Sequence, residues 1–350
     1  MYNCAEYTAP VWKGNTVLYE SFLPVVSREI PLLYPADEML EVRTMDQKRV
    51  FAPGKDYLLR DGCLYIPEGS AISVMDWETY NPQEKSEAKK TDKGFVCRDG
   101  GYLLFSEGPF FHELEYCVSY RHSGEWGDAV LPAADPEKLP LTKARLREGK
   151  PFTFGFFGDS IATGANSSSL IGCEPFAPIW PEMICERLRQ VCGSSIRYVN
   201  RLVGGTTSGW GVTEVRQAFA EEVPDLMLIA FGMNDASGRV DRYVFRDNIR
   251  AIAKTVREMN PDCELLLVST SLPNPLSPQF YSDHATHELL LGKLCGEFGP
   301  SADLVPITSM HRRLLARKRF YDMTGNNINH PNDFLARVYA QTALAVLGVE

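Results

Sequence analysis

Residues 152–160 read FTFGFFGDS, an apolar run closed by Gly158, Asp159 and Ser160. A short apolar run bounded by turn residues is the pattern of a strand buried on both faces, and it places a serine at the strand's carboxyl end. Downstream the same pattern recurs in IRYVN (196–200), DLMLIAF (225–231), ELLLVST (264–270) and ADLVPI (302–307). Between these runs, apolar residues at helical spacing predict helices over 181–191, 244–259 and 286–297, and a last helix over 333–347. Alternating strands and helices imply a parallel sheet covered by helices on both faces, a three-layer α/β/α domain over residues 151–350.

Upstream the rhythm differs. From about residue 15 to 123, short runs rich in β-branched and aromatic residues are separated by turn signals, which predicts an all-β sandwich or jelly roll over residues 1–130. Asp61-Gly62 and Asp99-Gly100-Gly101 mark hairpin turns within it, because glycine adopts positive φ without steric cost. The stretch 131–150, LPAADPEKLPLTKARLREGK, is rich in proline and charge and reads as a linker. A chain of 350 residues is also long for one core, which favours two domains.

Composition narrows the function classes. A formal net charge of −9 opposes binding to a polyanion, so nucleic acid is not an expected partner. The one lysine-rich stretch, residues 84–93, mixes both signs and reads as a solvated loop. No run approaches the ~18 apolar residues that span a bilayer, and the first dozen residues lack the pattern of a signal peptide. The expected location is the cytoplasm, with no membrane partner. The 9 cysteines are scattered and never spaced C-x-x-C, so neither a disulfide framework nor a zinc site is indicated. No cofactor or metal is expected. His284 and His287 lie three apart on a predicted helix, but no third ligand motif accompanies them.

The chemistry collects at strand ends, where ligands bind in doubly wound sheets. Ser160 follows the first strand, although a serine there could merely cap a helix. RLVGGTTS (201–208) follows the second, and Gly232-Met233-Asn234-Asp235 follows the third. His330 stands in NNINHPNDF (326–334), just before the last helix. Asp159 and Asp235 read as turn-fixing carboxylates.

Together these residues resemble the GDSL or SGNH hydrolase family, which is marked by Ser in G-D-S, a later Gly, Asn in G-x-N-D, and a C-terminal His. The resemblance covers about residues 152–348 and implies a flavodoxin-like SGNH domain acting as a serine esterase. It implies Ser160 as nucleophile and His330 as base, with an oxyanion hole built from Ser160, Gly205 and Asn234. Gly204 competes with Gly205. The preceding β domain is similar in layout to carbohydrate O-acetylesterases, which implies removal of acetyl or other short acyl groups from a small-molecule or oligosaccharide substrate. The same machinery serves lipases, lysophospholipases and thioesterases on longer chains, and an inactive copy would leave a sugar-binding protein. Homo-oligomerisation stays open.

One position departs from the family. The usual D-x-x-H becomes Asn327-Ile328-Asn329-His330. An amide oxygen can still accept from the imidazole Nδ1–H, so the expected orienting residue is Asn327 or a backbone carbonyl, with Asp322 and Asp333 as alternatives. In the β domain, Tyr120, Arg121, His122 and Trp126 cluster before the linker, where they suit a cleft wall or packing between the domains, and the expectation is that this domain shapes one side of the cleft.

Overall fold

The computed structural model describes residues 2–84, 95–127 and 131–349. The solvated loop expected at 84–93 lies outside them apart from Glu84, and so does the boundary between β domain and linker at 130.

Five parallel strands form the main sheet, in the order 196–200, 152–158, 226–230, 264–268, 302–305. This is the 2-1-3-4-5 order of doubly wound flavodoxin-like sheets. Strand order reverses between Phe152–Gly158 and Leu226–Ala230, which pair in parallel up to Gly158 opposite Ala230. Gly158 is required there: a Cβ would lie 2.3 Å from the Ala230 carbonyl oxygen. Helices Trp180–Cys192, Arg242–Met259 and His284–Phe298 cover the faces.

Among the described helices of eight or more residues, three escape the periodicity. Ser208–Ala218 carries two glycines, which lower its helix propensity. One of them, Gly211, has no room for a side chain, because a Cβ would come within 2.8 Å of Ile252 Cδ1. Ile307–Leu315 follows the last strand almost without a break. Pro140–Arg147 lies inside the stretch expected to be a bare linker; it starts on a proline and buries only Thr142 and Leu146.

The N-terminal part is β-rich, as anticipated, and is built as small antiparallel sheets. Strands Thr16–Phe22, Tyr116–Arg121 and Glu38–Thr44 form one of them. Both hairpins are present. Arg60 pairs with Cys63 across Asp61 and Gly62, each at positive φ (47° and 77°), and Val96 pairs with Tyr102 across the second glycine turn. Two successive positive φ values match the twist of the flanking strands.

The last helix, Asp333–Leu347, is buried along its whole length. Its polar side chains are paired as burial requires: Arg337 donates to the Leu18 carbonyl and Gln341 to the Tyr7 carbonyl. The helix packs on the 180–192 helix, the 302–305 strand and the N-terminal 16–22 strand. One hydrophobic cluster therefore runs from Tyr7 through Tyr120 and Phe154 to Val349, joining the two halves. Among the described residues no helix is long and apolar enough to cross a membrane.

Candidate active site

Ser160 stands just beyond the first strand of the sheet, at the point where strand order reverses. The Asp159 N–H donates to the Ala230 carbonyl, and its carboxylate accepts from the Ile161 N–H at 3.0 Å, which fixes the turn. Burial raises the Asp159 carboxyl to about 7, and the nearby Asp235 adds to the rise. The chain then runs through successive turns, and the next helix begins only at Trp180. Ser160 therefore caps no helix.

His330 is carried by a loop that Asn326 organises. The Asn326 Oδ1 accepts from the backbone N–H groups of Ile328, Asn329 and His330, each at 3.0 Å. Gly325 N–H and Thr324 Oγ1 donate back to the His330 carbonyl. The loop sets His330 Nε2 3.1 Å from Ser160 Oγ.

The other ring nitrogen faces two partners that sequence reasoning missed. Nδ1 lies 2.8 Å from Asn166 Oδ1 and 3.2 Å from Glu107 Oε2. Asn166 Nδ2 donates to the carbonyls of Gly108 and Gly325, so its oxygen must point at the ring. Nδ1 therefore carries the proton, and Nε2 is left with the lone pair that accepts from Ser160. Asn166 sits at φ 70°, a conformation asparagine tolerates better than most residues. Its position six residues past the nucleophile, in ATGANSS, was the available signal.

Asn327 is not the orienting residue. Its Nδ2 donates to the Leu104 carbonyl, and its Oδ1 accepts from Tyr80 and Asn274. It is fully buried and anchors the histidine loop to the N-terminal layer. The alternatives are committed elsewhere too. Asp322 accepts from the Leu23 and Arg319 N–H groups, and Asp333 from Ser168.

The loops after the second and third strands meet beside Ser160. Of the two glycines, Gly204 and not the preferred Gly205 backs onto the serine: a Cβ on Gly204 would lie 3.7 Å from Ser160 Cβ, whereas Gly205, at φ 79°, makes the turn and faces open space. Asn234 donates one amide hydrogen to the Thr206 carbonyl at 2.9 Å, which leaves its second for another acceptor. Asp235 ties the same loops together by accepting from both Ser208 N–H and Oγ. Gly232 makes the corner at φ 133°, with His287 and Phe245 packed where a side chain would stand.

The remaining histidines are structural. His287 stacks on Phe245 at 3.9 Å, and burial lowers it to about 3. His284 contacts Ser237 and the Met233 carbonyl. His311 accepts from the Leu272 N–H. Nor does the aromatic cluster line the site. Tyr120 is buried against Glu20, His122 stacks on Tyr34, and Trp126 lies in the shared core under Arg313. Among the described N-terminal residues, Glu107 and Gly108 reach the site instead.

The family model of the GDSL-like Lipase/Acylhydrolase family matches residues 156–337. An arylesterase of Vibrio mimicus is 22% identical over 111 residues, which are 32% of this chain and 52% of that protein. The chain thus spans about half the length of the curated relative it matches. Among solved structures, a two-domain esterase (CEX) active on acetylated mannans aligns with a TM-score of 0.49 and 21% identity, covering 61% of this chain and 53% of that one. An acetylxylan esterase from Geobacillus stearothermophilus, Axe2, aligns at 0.46 and 16%, covering 57% and 95%.

Proposed function

Since the chain belongs to the GDSL-like lipase/acylhydrolase family, we propose that it hydrolyses carboxylic esters with Ser160 as nucleophile and His330 as general base. The observation that carries this reading is the 3.1 Å contact between Ser160 Oγ and an imidazole nitrogen whose opposite face is held by an amide oxygen. A serine hydroxyl is a weak nucleophile until a base takes its proton. As Oγ bonds to the acyl carbon, its proton passes to Nε2 and the carbonyl electron pair moves onto oxygen. Nε2 then returns that proton to the alcohol oxygen as the ester C–O bond breaks. Water repeats the sequence on the acyl-enzyme, releasing the acid and restoring Ser160.

The developing oxyanion needs donors, and the free amide hydrogen of Asn234 supplies one beside the backbone N–H groups of Ser160 and the Gly204–Gly205 loop. Asn234→Ala should lower kcat by about 10²- to 10³-fold while KM changes much less, because the bond is made in the transition state. A change confined to KM in steady-state kinetics would place Asn234 in substrate binding instead.

The substrate proposed is a short acyl ester, acetyl above all, of a hydroxyl-rich alcohol such as a saccharide. The side chain that the loops beside Ser160 present, Asn234, is polar and supports this, whereas a long alkyl chain needs apolar lining. Rates on p-nitrophenyl esters of increasing length test it. A fall beyond acetate or butyrate is expected, abolished throughout in Ser160→Ala. A maximum at long chains would turn the assignment toward lipids or thioesters, and no turnover at all would leave a sugar-binding protein.

A further inference from the structure

The family's D-x-x-H acid is absent, yet the imidazole has two partners on Nδ1. We infer that the work of one triad aspartate is divided here between Asn166, which fixes the ring's plane and tautomer, and Glu107, which supplies the negative charge that stabilises the imidazolium, so that the N-terminal domain completes the active site. This rests on the reading of Ser160 and His330 as nucleophile and base.

An amide oxygen can hold a ring by accepting from Nδ1–H, but it carries no net charge to offset the imidazolium formed when Ser160 gives up its proton. Glu107 offers that charge at 3.2 Å from Nδ1. Its placement is built in. The second carboxylate oxygen, Oε1, accepts from Asn326 Nδ2 at 3.1 Å. Asn326 cannot turn that nitrogen away, because its own oxygen is committed to the N–H groups of the histidine loop. The same side chain thus shapes the loop that carries His330 and aims the carboxylate at the ring. Asn166 links the three segments, since its amide nitrogen bridges Gly108, next to Glu107, and Gly325, in the histidine loop. Gly325 permits this approach, as a Cβ there would lie 2.5 Å from Asn166 Cβ.

Other carboxylates near the site are occupied. Asp159 turns to the Ile161 N–H, Asp235 to Ser208, Asp333 to Ser168, and Asp322 to Leu23 and Arg319. Among the described residues, Glu107 is the one carboxylate within hydrogen-bond distance of the His330 ring. Its side chain is 47% exposed, which makes its charge weaker than a buried acid's and sensitive to salt.

Glu107→Gln keeps the size and one of the two acceptors while removing the charge, and an unchanged melting temperature separates an electrostatic role from a structural one. The expected result with p-nitrophenyl acetate is a roughly tenfold fall in kcat, little change in KM, and an acid limb of the kcat/KM profile moved to lower pH by roughly half a unit, because an adjacent carboxylate favours the protonated ring. The sign is fixed: activity needs neutral imidazole, and loss of the charge lets the ring stay neutral at lower pH. Raising ionic strength should move the wild-type limb toward that of the variant and leave the variant nearly still. Asn166→Ala should cost about 10²-fold in kcat with a smaller shift of the limb. Wild-type and Glu107→Gln profiles that superimpose at low salt, in a variant with an unchanged melting temperature, would overturn the inference. If Ser160→Ala is inactive in the same assays, that failure leaves the esterase reading standing. Ester turnover surviving in Ser160→Ala would instead remove the reading on which the inference rests.

Discussion

Replacing Ser160 or His330 by alanine is expected to lower kcat on p-nitrophenyl acetate by about 10⁴- to 10⁶-fold, and the double variant should be no worse than the poorer single one. Each residue acts only through the other. Without the imidazole, Oγ keeps its proton; without the hydroxyl, the imidazole has nothing to activate but water. Residual turnover would come from the oxyanion donors, which neither substitution touches. Both variants should fold. Ser160 loses one hydroxyl at a nearly buried strand end, and the His330 backbone stays anchored by Asn326, Thr324 and Gly325. Purified variants with wild-type melting curves and initial rates corrected for spontaneous hydrolysis make the measurement. Activity within tenfold of wild type in His330→Ala would show that another group takes the serine proton.

How much of this site was readable depends on how far apart in sequence its parts lie. The strand ending at Gly158 and the helix over 333–347 follow from local periodicity, and Ser160, Asn234 and His330 each sit in a short motif at an element's end. Local pattern holds that information. The partners of Nδ1 do not share it: Asn166 is 164 residues from His330, and Glu107 is 223 away. Nothing in a window around either residue says that it meets an imidazole. The missing aspartate did signal that some group must replace it, and the nearest asparagine was the wrong choice. Asn327 adopts φ 66°, which turns its side chain toward Tyr80 and Leu104 instead of along the loop to the ring. The cluster Tyr120 to Trp126 left two readings open for a related reason. Aromatic residues beside a boundary suit a binding wall and an internal seam equally well, and here they fill the seam.

That seam leads to the second large effect, on stability. Lys318, in the C-terminal half, and Glu20, in the N-terminal half, form an ion pair at 2.6 Å with both side chains wholly out of contact with solvent. The pair is well satisfied. Glu20 also accepts from the Leu33 N–H and the Tyr120 hydroxyl, while Lys318 donates to the Ser21 carbonyl and lies over the Phe334 ring. Removing one partner of such a pair leaves a buried charge uncompensated, which typically costs about 3–5 kcal/mol. Lys318→Met should therefore destabilise the protein by that amount. For a chain this long the melting temperature should fall by roughly 5 °C, given unfolding entropies near 2 cal/mol/K per residue. Replacing both partners by apolar residues, Glu20→Leu with Lys318→Met, should recover much of the loss, since no lone charge then remains. The site should register the change as well. Ser21 and Glu115 from the same layer accept from Asn332, which caps the last helix two residues after His330. Loosening the seam in Lys318→Met thus predicts that activity is lost on heating at a lower temperature and in step with global unfolding, not ahead of it. A loss of stability below about 1 kcal/mol in urea titration would show that Glu20 finds a new partner or water, and that the halves do not depend on this pair.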